Sequence, residues 1–423
     1  MIESDRDKAW YYSFVLCACR FFFIRCLMHK LAMQKIRRYS SYTPRRYTIA
    51  NVAICTILFW GFSFVYLYFM QGELMRCLCR EWLGRDVYPP FWGALTITFA
   101  LWIGQWLLDK CTRFSSVWYA LSYFPAYWAL AFLTSVTPVE VAGELSLEKG
   151  GLWWLFPVAL LVYLVVGYAC KHWRRYADRQ TLTELLIPNM ILLILFSYAT
   201  GSVGNCNELL HNELHVSEYI REQRYEEALH VGEKSLHNTH SLTTLRALAL
   251  SHTEELGESL FAYPQSHRAD GLFFQEGVKG LCGLSNADIV CHLGGIPRED
   301  GESVTNYLNR ICEADSMASS KSWDYYLCAL LLERRLECFH QTLLHYWPKD
   351  RDLPRHYQEA LLVYQLEKGE DSPLAPLCTI AVRERYEAFG QLQKQYEIPL
   401  HRNNYTRRRK FGDTYWWYYY YGE

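Results

Sequence analysis

Two hydropathy regimes follow one another along this chain. In the first, five stretches carry no Asp, Glu, Lys or Arg: Thr48–Met70, Phe91–Leu108, Phe114–Val136, Gly151–Cys170 and Leu185–Val203. About 20 apolar residues in a helix cross a hydrocarbon core of ~30 Å, so the pattern predicts five transmembrane helices. From Asn207 onward, apolar residues recur at helical spacing in short segments separated by polar turns. That regime predicts a helical domain in water. The expected fold class is all-α: an N-terminal bundle of about five transmembrane helices followed by a tetratricopeptide-like helical-repeat domain. The boundaries fall at 1–47 for a basic leader, 48–203 for the spans, 204–400 for the repeats and 401–423 for a basic and aromatic tail.

The repeat reading rests on Val216–His237. There Tyr225-Glu226-Glu227-Ala228-Leu229 precedes Glu233-Lys234-Ser235-Leu236, as in the middle of a tetratricopeptide unit of about 34 residues. A weaker copy lies at Leu242–Pro264 and a third at Trp323–Pro348, with helices at Pro354–Leu366 and Leu374–Tyr396 extending the array. The stretch Leu281–Glu302 is richer in Gly and Pro and predicts a loop with a short helix.

Charge sets the orientation, because short loops rich in Lys and Arg stay in the cytoplasm. Before the first span stand Lys30, Lys35, Arg37, Arg38, Arg45 and Arg46; Lys110 and Arg113 follow the second, and Lys171, Arg174, Arg175 and Arg179 follow the fourth. The alternate loops hold only Arg76, Arg80, Arg85 and Lys149. The leader is therefore expected in the cytoplasm and everything after Val203 outside it. In a Gram-negative cell this makes a multi-pass inner-membrane protein with a periplasmic C-terminal domain. Trp10–Met28 is apolar but interrupted by Arg20 and Arg25, which leaves a sixth span, an interfacial helix or a later natural start open.

Composition narrows the chemistry. A formal net charge of -1 gives no reason to expect nucleic acid as a partner. Aromatic content of 16%, with 15 Trp and 32 Tyr, suits a chain with many interfacial rings, so membrane lipid is an expected partner. The 15 Cys show no disulfide or zinc spacing and read as small buried hydrophobes. His211-Asn212-Glu213-Leu214-His215 places two His at i, i+4, yet the zinc-protease motif needs Glu where Asn212 stands. His340 and His345 do not share a helical face. Gly280–Gly283 and Gly294-Gly295 lack the context of a phosphate loop, and no GxSxG segment exists. No catalytic residue, metal site or cofactor is expected. Within the spans, the polar side chains that stand out are Asn51, Gln105 and Asn189, better suited to bonding neighbouring helices than to moving ions.

The segments Asn286–Leu308, Asp324–Leu336, Leu353-Pro354-Arg355-His356-Tyr357-Gln358-Glu359-Ala360-Leu361 and Thr414–Tyr421 resemble a family of uncharacterised polytopic membrane proteins from Bacteroidetes. The resemblance covers nearly the whole chain and implies architecture and location, with no activity attached.

These readings make the chain a membrane-anchored helical-repeat protein whose external domain binds a protein or peptide of the cell envelope. The alternative is an accessory subunit or enzyme of envelope glycan or lipid processing. The tail offers the candidate contacts: Arg407, Arg408 and Arg409, then Trp416 and Trp417 within a run of seven aromatics. Its β-forming rings without helical period predict an extended segment. The first reading is that it completes the core. Contact with anionic lipid or with a partner are the other two, and both would use those five residues.

Overall fold

The computed structural model describes residues 45–84, 88–112, 114, 116–141, 144–149, 154–172, 181–205, 207–233, 235, 238–276, 283–299, 301–314, 319–347, 352–369, 378–395 and 408–422. Trp10–Met28 and Arg407 lie outside them. Helix α1 runs over Arg45–Val65 and opens into a π-helical turn, Tyr66–Met70. Helix α2 (Gly72–Leu83) ends at Gly84, whose φ of 63° supplies the left-handed cap. Helix α3 covers Pro90–Thr112, α5 Leu155–His172 and α6 Leu182–Val203. Tyr47–Met70, Pro90–Lys110 and Leu182–Val203 are long and apolar enough to cross a membrane, and Leu155–Ala169 is a shorter apolar helix.

One expectation is corrected here. The stretch Phe114–Val136 is not one helix: a 3-10 segment, Ser116–Tyr123, bends at Trp118 and leads into α4, Phe124–Thr134. Pro125 sits in the first turn of α4, where its missing N–H costs nothing. The chain then forms a two-stranded antiparallel hairpin, β1 (Val136–Val141) with β2 (Glu144–Lys149), within a fold that is otherwise helical, as expected. Val139-Glu140-Val141 alternates and three of the six residues are β-branched Val, a strand signal too short to stand out beside a span ending at Val136.

The chain divides into two compact units, Met1–Phe62 with Phe99–Ala129 and Leu155–Ala199, and Ser63–Thr98 with Leu130–Trp154 and Thr200–Glu423. In the first, Phe59 and Cys55 of α1 pack with Tyr123 and Tyr127 and with Leu192, Leu193 and Phe196 of α6. Phe59 meets Tyr127 edge-on at 5.3 Å, a favourable ring geometry.

The second unit holds α7 (Glu208–Arg221), α8 (Tyr225–His230), α9 (His240–His252), α10 (Leu256–Ser259), α11 (Asn286–Leu293), α12 (Val304–Ala314), α13 (Ser320–Leu332), α14 (Leu336–Tyr346), α15 (Arg355–Lys368), α16 (Ile380–Gln395) and α17 (Tyr415–Tyr421). The expected loop with a short helix is present, as α11. Residues 242–251 of α9 and 325–332 of α13 are buried on every side, so these two helices form the centre. Helix α9 packs against α7, α8, α10 and α13, and α13 against α10, α12 and α14.

One turn recurs between the helix pairs α7/α8, α9/α10 and α13/α14. Each places a long polar residue at positive φ two positions past the first helix: Gln223 (60°), Glu254 (60°) and Arg334 (58°). In each, the next N–H returns to a helical carbonyl five residues back: Arg224 to Tyr219 (2.8 Å), Glu255 to Leu250 (2.9 Å) and Arg335 to Leu330 (2.9 Å). This closes the last open carbonyls without glycine. Between α10 and α15 the approach is tight: a Cβ on Gly257 would lie 2.9 Å from Tyr357 Cζ and 3.0 Å from Pro354 Cβ.

Candidate functional site

Three polar clusters and the tail could carry function. The first cluster contains the three amides of the spans. Asn189 Oδ1 accepts the backbone N–H of Ala120 at 2.7 Å, and its Nδ2 donates to Leu185 O (2.7 Å) and Asn51 Oδ1 (3.3 Å). Gln105 Nε2 donates to Ser122 Oγ at 2.9 Å and Tyr119 Oη at 3.3 Å. Thr56 Oγ1 and Tyr123 Oη share a bond of 2.8 Å. Four of these partners, Tyr119, Ala120, Ser122 and Tyr123, belong to the broken segment Ser116–Tyr123. A 3-10 stretch among apolar helices leaves backbone groups that lipid cannot satisfy, and these side chains supply partners. The amides hold helices together, and nothing in the cluster is arranged for a reaction.

The second cluster centres on Asn205, just past α6. Its N–H donates to Thr134 O (2.9 Å) and its Nδ2 to Val136 O (2.5 Å). Its own carbonyl accepts Gln71 Nε2 (3.0 Å) and binds His211 Nε2 (2.9 Å). Tyr66 Oη and Thr134 Oγ1 bond at 2.9 Å beside it. Gly204 has no room for a Cβ, which would run into that Tyr66 hydroxyl. The sequence reading passed over Asn205; a Gly-Asn pair directly after an apolar helix was the available signal. Close by in the same unit, α2 docks on α7 through charge. Arg76 Nη1 reaches Glu218 Oε1 and Glu222 Oε1, both at 3.1 Å, and Arg80 Nη2 reaches Glu218 Oε2 at 3.1 Å. Burial raises the Glu73 carboxyl; Arg76 opposes that shift and Glu218 adds to it.

The third cluster follows the His211–His215 motif. His211 is taken by the Asn205 carbonyl, and burial lowers the His215 imidazole, with His211 adding to the shift. Glu213 faces inward, where Thr239 Oγ1 donates to its Oε2 at 3.0 Å. Burial pushes its carboxyl up to about 7, against the hydroxyls of Thr239 and Ser241. Further along, Tyr225, His252 and His292 stack in a row, with centroids 4.1 and 3.8 Å apart. Burial, then His252 and Lys321, push His292 down to about 4. Among the described residues, no group of three or more His, Cys, Asp or Glu could hold a metal.

The tail is helical, not extended. Thr414 caps α17 and accepts the Trp417 N–H at 3.4 Å, while Tyr415, Trp416 and Tyr418 are buried on one face. Tertiary burial of that face overrides the strand preference of the rings. Trp416 is completely buried, Trp417 half-buried, and Arg408 and Arg409 exposed. Trp416 meets Tyr386 edge-on at 5.0 Å and lies 6.2 Å from Phe389.

Every polar residue from Arg355 to Glu359 has a partner, most of them in other elements. Arg355 Nη2 donates to Asp413 O (2.6 Å), and Tyr415 N donates to the buried Glu359 Oε2 (2.7 Å). Phe261 N donates to His356 Nε2 (3.2 Å), which leaves the His356 proton on Nδ1, directed at Glu359 Oε2 (2.9 Å). Tyr357 Oη reaches Asp324 Oδ1 (3.3 Å), and Thr379 N donates to Gln358 Oε1 (2.8 Å). From the other side, Arg385 Nη2 holds Asp413 Oδ1 (2.7 Å), Arg334 donates to the Tyr418 and Gly422 carbonyls, and Tyr418 Oη donates to Leu332 O (2.6 Å). Burial works against the Asp413 carboxylate, but Arg385 and then Arg355 hold its pKa below the ordinary value.

The fold and these clusters define a membrane protein with a helical unit closed by its own C-terminus. The chain belongs to a family of unknown function (DUF6057), whose model matches residues 9–297 and 302–422. No match to a curated protein or to a solved structure was found.

Two predictions follow from this geometry. Trp416→Ala should cost about 3–5 kcal/mol in unfolding of the full chain in detergent, as for other buried large-to-small changes. Arg408→Ala and Arg409→Ala should each stay within about 0.5 kcal/mol; equal effects at all three positions would place the tail outside the core. Glu213 has a folded pKa of about 7 against an ordinary 4.5, so the native state holds the extra proton. Stability therefore falls as pH rises through that window. Glu213→Gln should be nearly neutral at pH 5 and stabilising by about 1–3 kcal/mol at pH 8, and a pH-independent effect in thermal unfolding would contradict the burial argument.

Proposed function

We propose that the protein is an inner-membrane, helical-repeat scaffold whose C-terminal unit lies outside the cytoplasm and binds a protein or peptide of the cell envelope. The observation that carries it is the triple recurrence of one turn, at Gln223, Glu254 and Arg334. Helix pairs closed by one geometry and stacked through shared central helices are what a tetratricopeptide-like array requires, and such arrays work as binding surfaces. The compartment that fits this reading, and the resemblance to Bacteroidetes membrane proteins, is the periplasm.

Chain order and the hydrogen bonds around Asn205 support reading five crossings. Gln71, Thr134, Val136 and Asn205 meet at one point, and we read them as sharing one side of the membrane. Helix α3 leaves that side after Gly84 and Ser116–Thr134 must bring the chain back. Eight 3-10 residues at ~2.0 Å and eleven α-helical residues at ~1.5 Å rise about 32 Å together, enough for the core. Helices α5 and α6 make the remaining pair, the 18 residues of α5 rising about 27 Å. This reading assigns the basic residues Lys110, Arg113, Lys171, Arg174, Arg175 and Arg179 to the opposite side, with the leader, in keeping with their charge.

A reporter active only outside the cytoplasm should be active when fused after Val141 or Cys206 and silent after Arg113 or Arg179. Silence after Val141 would reduce the crossings to three, and activity after Arg179 would reverse the orientation. For the binding role, cross-linking in native membranes should capture a stoichiometric protein at the helical unit. Recovery of a lipid-linked sugar without a protein would favour an enzyme of glycan or lipid processing instead.

A further inference from the structure

Two histidines stacked face on face join helix α11 to the end of α9. His252 is the last residue of α9, and His292 lies in the last turn of α11. Their ring centroids are 3.8 Å apart, and the other face of His252 lies flat on Tyr225 of α8, at 4.1 Å and 5°. Ser251 Oγ and His292 Nε2 bond at 2.9 Å. All three rings are half-buried. Little else fastens α11: of its eight residues, Ile289 and Leu293 are the buried ones. Asn286 holds the Phe274 backbone through both amide atoms (2.8 and 2.9 Å), and Leu293 O accepts Ser322 Oγ at 2.8 Å. A short element with few buried apolar side chains belongs to the low end of local stability.

The charges that act on the stack have one sign. Lys321 of α13 faces both imidazoles, and among the described residues no carboxylate acts on either ring. Burial and then Lys321 lower His252; burial, His252 and Lys321 push His292 down to about 4. One proton finds some compensation, because both rings sit at helix C-termini and His252 lies on the Tyr225 face. A second would set two like charges 3.8 Å apart with Lys321 beside them. The other histidine pair of α9, His240 with His267 at 4.8 Å, is built differently, since Asp270 works against the lowering of His240.

We propose that the His252–His292 stack is an acid-released latch: protonation of both rings frees α11 from the end of α9 and uncovers Ile289 and Leu293. Histidine suits this role because its charge changes within the physiological range, and clustered histidines flip packed contacts in this way. The closed latch favours neutral rings, so below the ordinary value of 6.5 the open form takes up protons that the closed form refuses. Closure is therefore complete above that value and is lost as pH falls toward 4. The latch is independent of the partner-binding reading.

The test is hydrogen exchange of the full chain in neutral detergent at pH 7.5 and pH 5, read by mass spectrometry and corrected for the pH dependence of chemical exchange. With His292 at about 4 when closed and 6.5 when open, protection of Asn286–Leu293 should fall about 30-fold over that interval. His292→Phe keeps a ring in the stack and takes no proton, so its protection should change by less than about 3-fold. If His292→Phe fails to fold, His252→Phe takes its place and should also blunt the loss, because the like charge next to His292 is gone. Three results would overturn the latch: unchanged protection in the wild type, a full-size loss in the folded variant, or an equal loss across α13, which would be general acid unfolding.

Discussion

Asn205 ties together stretches of chain that lie far apart in sequence, and much else in the architecture depends on that tie. One residue past α6 offers a backbone N–H, a carbonyl and a side-chain amide, and these reach Thr134, Gln71, His211 and Val136. The physical constraint behind it is general: where helices leave lipid, open carbonyls and amides need partners that the bilayer cannot give. Meeting that need with one residue fixes the end of α1, the end of α4 and the start of α7 at one place. The paired charges of α2 and α7 extend the same junction, with Glu218 between Arg76 and Arg80.

The same logic of satisfied polar groups organises the C-terminal end. Asp413, Tyr415 and Tyr418 are held by Arg385, Arg355, Glu359, Arg334 and the Leu332 carbonyl, while the rings fill the space between α10, α15 and α16. A run of seven aromatics close to the end of a chain would be an aggregation hazard if left in water. Here burial of one helical face uses most of it. The exposed Arg408 and Arg409 then read as solubilising residues at the edge of that face.

Sequence patterning made the two regimes, three of the membrane-length helices and the paired helices around Ala228 and Ala329 legible, because long apolar runs and helical spacing are strong signals. It failed where two signals compete. Phe114–Val136 is apolar enough to span, but a bend at Trp118 depends on Asn189 and Gln105 from other helices, which no local window contains. The strand Val136–Val141 begins where that run ends and shares only Val136 with it. The tail was read as extended because Tyr and Trp favour strands in isolation; its helix exists because α15 and α16 offer a surface for one face. Arg355 to Glu359 stood out as a conspicuous phrase, yet its role as the platform for the C-terminus needed the tertiary partners. Asn205 was missed for a similar reason: its importance lies in what it touches.

The junction around Asn205 requires that the end of α1 and the end of α4 meet. A double-mutant cycle on Tyr66 and Thr134 tests this directly, because their hydroxyls bond at 2.9 Å and both are buried. Tyr66→Phe, Thr134→Val and the double variant would be unfolded as full-length protein in mild detergent. The structure predicts a coupling energy of about 0.5–1.5 kcal/mol, the usual size for one buried hydrogen bond. Strict additivity of the two substitutions would show that the residues are not partners and would contradict the junction around Asn205.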